Sequence, residues 1–271
     1  LKRVTPALQR LCDLLSWPPR GLELLEAALI SAPPFAFEGS LIASKAWLLL
    51  RLGHYQEAVN NAMQALASTE ATARETSLNA LGAAYDSLGE FKLAEDAFSN
   101  ALALAESDSG EAATAQTNLA VNALKRGDYS AAEVYLTQAE AVFKRQGKAA
   151  KAVWCAYTYG RLYLETGKFQ QARLRFAWAR EEAKHLHLTH WRLMAQLGLV
   201  KLDALEGEGQ RADLVCRSVA QEARGLQSVA TELSARVVSG DVAFAMSKYD
   251  NALAHYGASL SNSDGTQGEP I

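Results

Sequence analysis

The sequence predicts an all-α fold, a right-handed superhelical solenoid of about seven antiparallel helix pairs. Two observations predict it. A short signature, a Gly with an aromatic two residues later and an Ala five residues later, recurs as Gly53-Tyr55-Ala58, Gly89-Phe91-Ala94, Gly127-Tyr129-Ala132 and Gly167-Phe169-Ala172. Two degenerate copies, Gly207-Gly209-Ala212 and Ser247-Tyr249-Ala252, extend the series at successive offsets of 36, 38, 40, 40 and 40 residues. Around each glycine the apolar residues follow a 3.6-residue period, as in Leu81, Ala84, Tyr85 and Leu88 before Gly89 and Phe91, Ala94, Phe98, Ala101 and Leu102 after it. That period is helical, so each copy reads as helix, tight turn, helix.

Taken in order, residues 1–260 form one solenoid, and its first part, 5–31, is a degenerate pair. Its helices cover Pro6 to Leu15 and Arg20 to Ile30, joined through Trp17-Pro18-Pro19. The proline pairs at 18–19 and 33–34 precede the regular array and set the angle of an N-terminal cap. Six repeats then fill 39–260. In each, the glycine ends the first helix, because it takes left-handed dihedrals without a Cβ penalty. The aromatic that follows starts the second helix and is expected to fill the gap between the pair. Ala58, Ala94, Ala132 and Ala172 let the two backbones approach, and a bulky residue there would cost roughly 1–3 kcal/mol. Residues 261–271 are polar and Gly-rich and read as a disordered tail. A start at Leu1 rather than Met and this tail suggest a piece of something longer.

The repeat resembles the tetratricopeptide repeat. That family's first-helix L-G-x-x-Y pattern stands here as Leu81-Gly82-Tyr85 and, with Tyr for Leu, as Tyr159-Gly160-Tyr163; its second-helix A-x-x-x-F-x-x-A pattern stands as Ala94-Phe98-Ala101 and Ala172-Phe176-Ala179. The copies centred on Gly53 and Gly127 match in part, with Ala62 and Leu136 in place of the second-helix aromatic. The family's terminal Pro is missing and the period is long. In both respects the chain is similar to the helical repeats of maltose-regulator-like bacterial transcription activators.

Composition bounds the function classes. There are 27 Lys and Arg against 30 Asp and Glu, a net charge of −3, with 49% apolar residues. Cys12, Cys155 and Cys216 lie too far apart for a C-x-x-C metal site or a disulfide framework, so a reducing, cytoplasmic setting is expected. No run of 18 apolar residues and no secretory leader is present, and no membrane contact is expected. Phosphate-loop, zinc-protease and nucleophile-elbow motifs are missing. Gly207-x-Gly209-x-x-Ala212 imitates a dinucleotide fingerprint, but follows a helix where that loop needs a strand. His185, His187 and His190 lack a Cys or paired carboxylate to complete a metal shell and read as a solvated junction. Neither an enzyme nor a cofactor is expected.

Candidate contacts come from the resemblance. In tetratricopeptide proteins the first helix of each pair lines the concave groove, and carrying its inward positions over selects Trp47, Asn79, Asn118, Trp154, Tyr157, Arg161, Met194, Lys201 and Asp241, with Asp86 and Lys125 one turn further. Trp154, Tyr157 and Arg161 share one helix stripe; the two aromatics are either binding anchors or packing against the neighbouring hairpin. The family's carboxylate clamp is not expected, because Ala43 and Ala83 stand where its lysines would be. Charge is uneven: residues 70–111 carry nine acids and two bases, and residues 144–180 nine bases and one acid. Arg173, Arg175 and Arg180 on a second helix thus read as a solvated face or a dock for an acidic partner, and the two regions offer head-to-tail self-association. Direct nucleic-acid binding is not expected. The resemblance implies a scaffold binding a peptide or protein in its groove, or alternatively the ligand- or inhibitor-sensing region of a large ATP-dependent transcriptional regulator.

Overall fold

At the end of each first helix the turn closes in one way. In a computed structural model, which describes residues 18–31, 38–226 and 228–260, the turn glycines Gly53, Gly89, Gly127, Gly167 and Gly207 have φ between 72 and 93°. The next residue donates its N–H back to the carbonyl five residues earlier, as in Glu90 to Tyr85 (2.9 Å), Asp128 to Ala123 (2.9 Å) and Lys168 to Tyr163 (2.8 Å). This Schellman closure satisfies carbonyls that the helix end would leave unpaired.

Among the described residues there are thirteen helices and no strand. Helix α1 (Pro18–Ser31) begins at the proline pair, whose fixed φ suits a first helical turn. Six hairpins follow: α2 (Glu38–Leu52) with α3 (Tyr55–Ala65), α4 (Ala71–Ser87) with α5 (Phe91–Leu104), α6 (Gly110–Lys125) with α7 (Tyr129–Arg145), α8 (Ala149–Glu165) with α9 (Phe169–His185), α10 (Thr189–Leu205) with α11 (Gly209–Gly225), and α12 (Val229–Ala245) with α13 (Tyr249–Leu260). These six hairpins run from Glu38 to Leu260. The expected first helix, the second proline pair and the 261–271 tail lie outside the described residues.

Ser247 replaces the sixth turn glycine and still takes φ of 59°, with Lys248 closing on Ala243 at 2.8 Å. A side chain in this region costs roughly 1–2 kcal/mol, partly offset because Gly also loosens the unfolded chain. Ser247→Gly is expected to stabilise the last hairpin by about 0.5–1 kcal/mol. Urea unfolding checks this, and an unchanged or lowered midpoint would contradict it.

Packing within hairpins obeys a volume rule at one pair of positions, seven residues before and nine after the turn. The pairs are Ala46/Ala62, Gly82/Phe98, Ala120/Leu136, Gly160/Phe176, Val200/Cys216 and Gly240/Tyr256, so each glycine meets an aromatic. A Cβ added to Gly82, Gly160 or Gly240 would lie 2.4–2.6 Å from the ring opposite. This corrects the expectation for two of the aromatics just after the turn: Phe169 and Tyr249 are 43% and 61% exposed, whereas Tyr129 packs against the core and Tyr55 and Phe91 are partly buried; opposite the glycines it is Phe98, Phe176 and Tyr256 that fill the gap.

The first helices of consecutive hairpins, α2, α4, α6, α8, α10 and α12, touch one another, whereas no two second helices touch among the described residues. Close first helices and separated second helices give a curved stack with the first helices inside. The curve is tight enough that α2 also meets α12, five hairpins on.

Part of the charge that looks one-sided in sequence is paired between neighbouring repeats, although Glu106 and Glu111 lie close enough to Glu75 to help burial raise its pKa. Asp86 binds Lys125 (2.5 Å), Glu95 binds Arg126, and Asp108 binds Arg145 (3.0 Å). The expectation is corrected for two of the second-helix arginines, while Arg180 pairs with the adjacent, exposed Glu181. Arg173 bridges to Asp203 (2.8 Å) and Glu206 (2.9 Å), while Arg175 binds Glu140 (2.5 Å) and lies 4.3 Å from the centroid of the Tyr159 ring. Both are clips between repeats rather than a free basic face. Burial opposes the charge on Glu140, but its hydrogen bond to Arg175 and the nearby Lys144 hold its carboxyl below the usual range.

Candidate functional site

The inner face is built from side chains that repeat along the first helices, so residues one repeat apart stand side by side. Several of the sequence-selected residues consequently bond to each other. Asn118 donates its Nδ2 to Asn79 Oδ1 at 2.7 Å, and Asn79 donates in turn to the Glu75 carbonyl at 3.0 Å; both amides are buried. Lys125 donates to Asp86, whose carboxylate lies 3.5 Å from Asn122 Nδ2. Lys201 pairs with Asp241 at 2.8 Å, and Asp241 accepts the Tyr256 hydroxyl at 2.8 Å. Trp47 packs against the core between the first two hairpins, and Met194 against that between the fifth and sixth.

Trp154, Tyr157 and Arg161 form the remaining stripe, on α8. The Trp154 and Tyr157 rings stand 6.2 and 5.7 Å from the centroid of Trp191 on α10, and Tyr157 lies 5.8 Å from Phe176. Both aromatics thus pack on the neighbouring hairpin, and all three rings remain partly exposed. Trp191 was not selected from the sequence because it sits in the first turn of α10, one turn before Met194 and outside the inherited inward positions. Its signal is an aromatic one turn ahead of a candidate on the same stripe. Arg161, half-buried, makes no ion pair or hydrogen bond among the described residues.

His190 corrects the solvated-junction reading. Its Nδ1 lies 2.8 Å from the Thr231 hydroxyl on α12, and its ring meets Trp191 edge-on at 4.9 Å. Burial pushes its pKa down to about 4, and the charge of Arg51 at the end of α2 adds to this, so the imidazole is neutral near pH 7. The Arg51 effect reflects the same closure that brings α2 to α12. His185 and His187 are exposed. No group of His, Cys, Asp and Glu among the described residues is placed to hold a metal. Burial pushes the Cys155 thiol up to about 12 and Cys216 up to about 11, so neither is a thiolate at neutral pH. No helix among the described residues is long and apolar enough to cross a membrane.

Helical hairpins stacked in register around a lined inner face define an α-helical repeat protein. Residues 75–108 and 111–183 match models of the tetratricopeptide repeat, which supports a tetratricopeptide-repeat assignment for this chain. No curated protein matches the sequence. Among solved structures, the chain is similar to a Rap protein complexed with competence and sporulation factor, with 13% identity, a TM-score of 0.72, and 93% of this chain and 82% of that one covered. It is similar to NprR in complex with its cognate peptide NprX, with 13% identity, a TM-score of 0.62 and coverage of 97% and 77%. A tetratricopeptide repeat protein from Parabacteroides merdae aligns at 19% identity, a TM-score of 0.54 and coverage of 98% and 93%. These likenesses concern the fold.

Proposed function

We propose that the chain is a protein-interaction scaffold that holds a peptide segment of its partner in the concave groove, anchored on the aromatic cluster between α8 and α10. The observation that carries this reading is the cluster itself: Trp154, Tyr157 and Trp191 meet across α8 and α10, two first helices, while each stays partly exposed. Large rings with few rotatable bonds lose little entropy when a partner orders them, so they are efficient anchors. Two of the similar folds, the Rap protein and NprR, were solved with a factor or peptide bound, which fits the same use of the architecture.

A thermal-shift screen against peptide pools, sugars and nucleotides tests the proposal. Ligand at a hundred times its Kd stabilises a folded site by about 2.7 kcal/mol, enough to move the transition measurably. Peptides are expected to raise the midpoint. Stabilisation by sugars or nucleotides alone would overturn the reading and favour the small-molecule sensor.

A further inference from the structure

One row of the inner face stands six residues before each turn and reads Trp47, Ala83, Val121, Arg161, Lys201, Asp241. Its neighbours decide what Arg161 can do. On one side Val121 offers no acceptor. On the other, Lys201 repels a second cation and is itself held by Asp241 at 2.8 Å. Asp86 and Lys125 likewise neutralise each other. Glu165, one turn further along α8, is exposed and forms no ion pair with Arg161. The register thus leaves Arg161, a half-buried residue, without an anion among the described residues.

The groups beside it have the same bias. Tyr157 and Trp154 precede Arg161 by one and two turns, and Trp191 packs on both. The Tyr157 hydroxyl and the Nε1 groups of Trp154 and Trp191 also make no hydrogen bond among the described residues. Tryptophan and arginine can only donate, so apart from the tyrosine oxygen this corner presents donors around apolar rings. Such a surface is complementary to an acceptor that carries negative charge next to an apolar group, and a charged acceptor makes the stronger bond.

We infer that this corner selects a peptide with a carboxylate seated on Arg161 and an apolar or aromatic side chain against Trp154 and Trp191. The inference rests on the groove reading above and adds the chemical class of the segment. An acidic side chain and a peptide C-terminus supply the same carboxylate chemistry.

A random heptapeptide library selected in parallel on the full chain and on its Arg161→Glu variant tests this, with the binders remeasured as free acids and as C-terminal amides. The wild-type chain is expected to enrich peptides with an acidic residue or a required free C-terminus beside an apolar residue. Arg161→Gln is expected to weaken those peptides about tenfold. Arg161→Lys, which keeps the charge but not the planar fork, falls between. Arg161→Glu is expected to enrich basic peptides instead, an exchange that loss of folding does not produce. Amidation separates the sources, since it abolishes binding only where the terminus is the anion. If Arg161→Glu enriches the same peptides with the same affinity while Trp191→Ala abolishes their binding, the role of Arg161 is overturned and the groove stands. If the wild-type chain enriches no peptide whose binding depends on Trp191, both fall together.

Discussion

Phe176→Ala is expected to cost about 3–5 kcal/mol of stability, among the largest effects of any single substitution in the array. The ring is 1% exposed and fills two notches at once, because a Cβ on Gly160 of its own hairpin or on Gly198 of the next would lie 2.6 Å from it. Truncation therefore empties a cavity at the seam between the fourth and fifth hairpins. Repeat arrays hold together through such seams, so broadening of the urea transition is expected along with the lower midpoint. The converse change is informative. Gly160→Ala in the wild-type chain overpacks the notch and is expected to cost about 1–3 kcal/mol. In a Phe176→Leu background, with a smaller side chain opposite, its cost is expected to shrink. Additive losses in that double-mutant cycle would contradict the volume rule.

Trp191→Ala is expected to lower affinity for a groove-bound peptide by about 2–4 kcal/mol, or roughly thirty- to a thousand-fold, while leaving the fold intact. Trp191 is partly exposed, and its ring contacts Trp154, Tyr157 and His190, so its loss dismantles the cluster from the centre. Trp178→Ala supplies the control. That indole is 47% exposed on α9, a second helix on the outer side, and its removal is expected to leave affinity unchanged. Binding measured by calorimetry on both variants decides between them. Equal losses from the two tryptophans would place the ligand elsewhere.

The solenoid was legible in the sequence because its determinants are local and repeated. The left-handed turn at Gly53 to Gly207 and the 3.6-residue period on either side need no tertiary information, and the spacing of the copies then orders the stack. The gap-filling aromatic was misplaced because in three second helices two aromatics stand seven residues apart, Phe91 with Phe98, Phe169 with Phe176 and Tyr249 with Tyr256, and hence on the same face. Only the glycine opposite, visible in sequence as Gly82, Gly160 and Gly240, tells which one enters the core. The inner-face positions were placed on the first helices, but their pairing was not foreseen. Asn79 with Asn118, Asp86 with Lys125, and Lys201 with Asp241 lie a whole repeat apart, and only the stacking register makes them neighbours. The same reason made Asp86, Glu95 and Asp108 look unpaired, whereas Trp191 was missed because it lies outside the inherited inward positions. His190 misled in another way: as a junction residue it looked solvated, but it lies against Thr231 of α12 and burial lowers its pKa.

The central claim is that a peptide lies on the inner face beside α8 and α10. It is tested most directly by placing a photo-crosslinking amino acid at Met194 on the inner face, and separately at Leu174, which is 72% exposed on α9. A peptide selected by the wild-type chain is irradiated with each, and the adduct is mapped by mass spectrometry. The expected result is capture from position 194 and none from position 174. Capture from 174 with none from 194 would show that the outer surface, not the groove, receives the ligand.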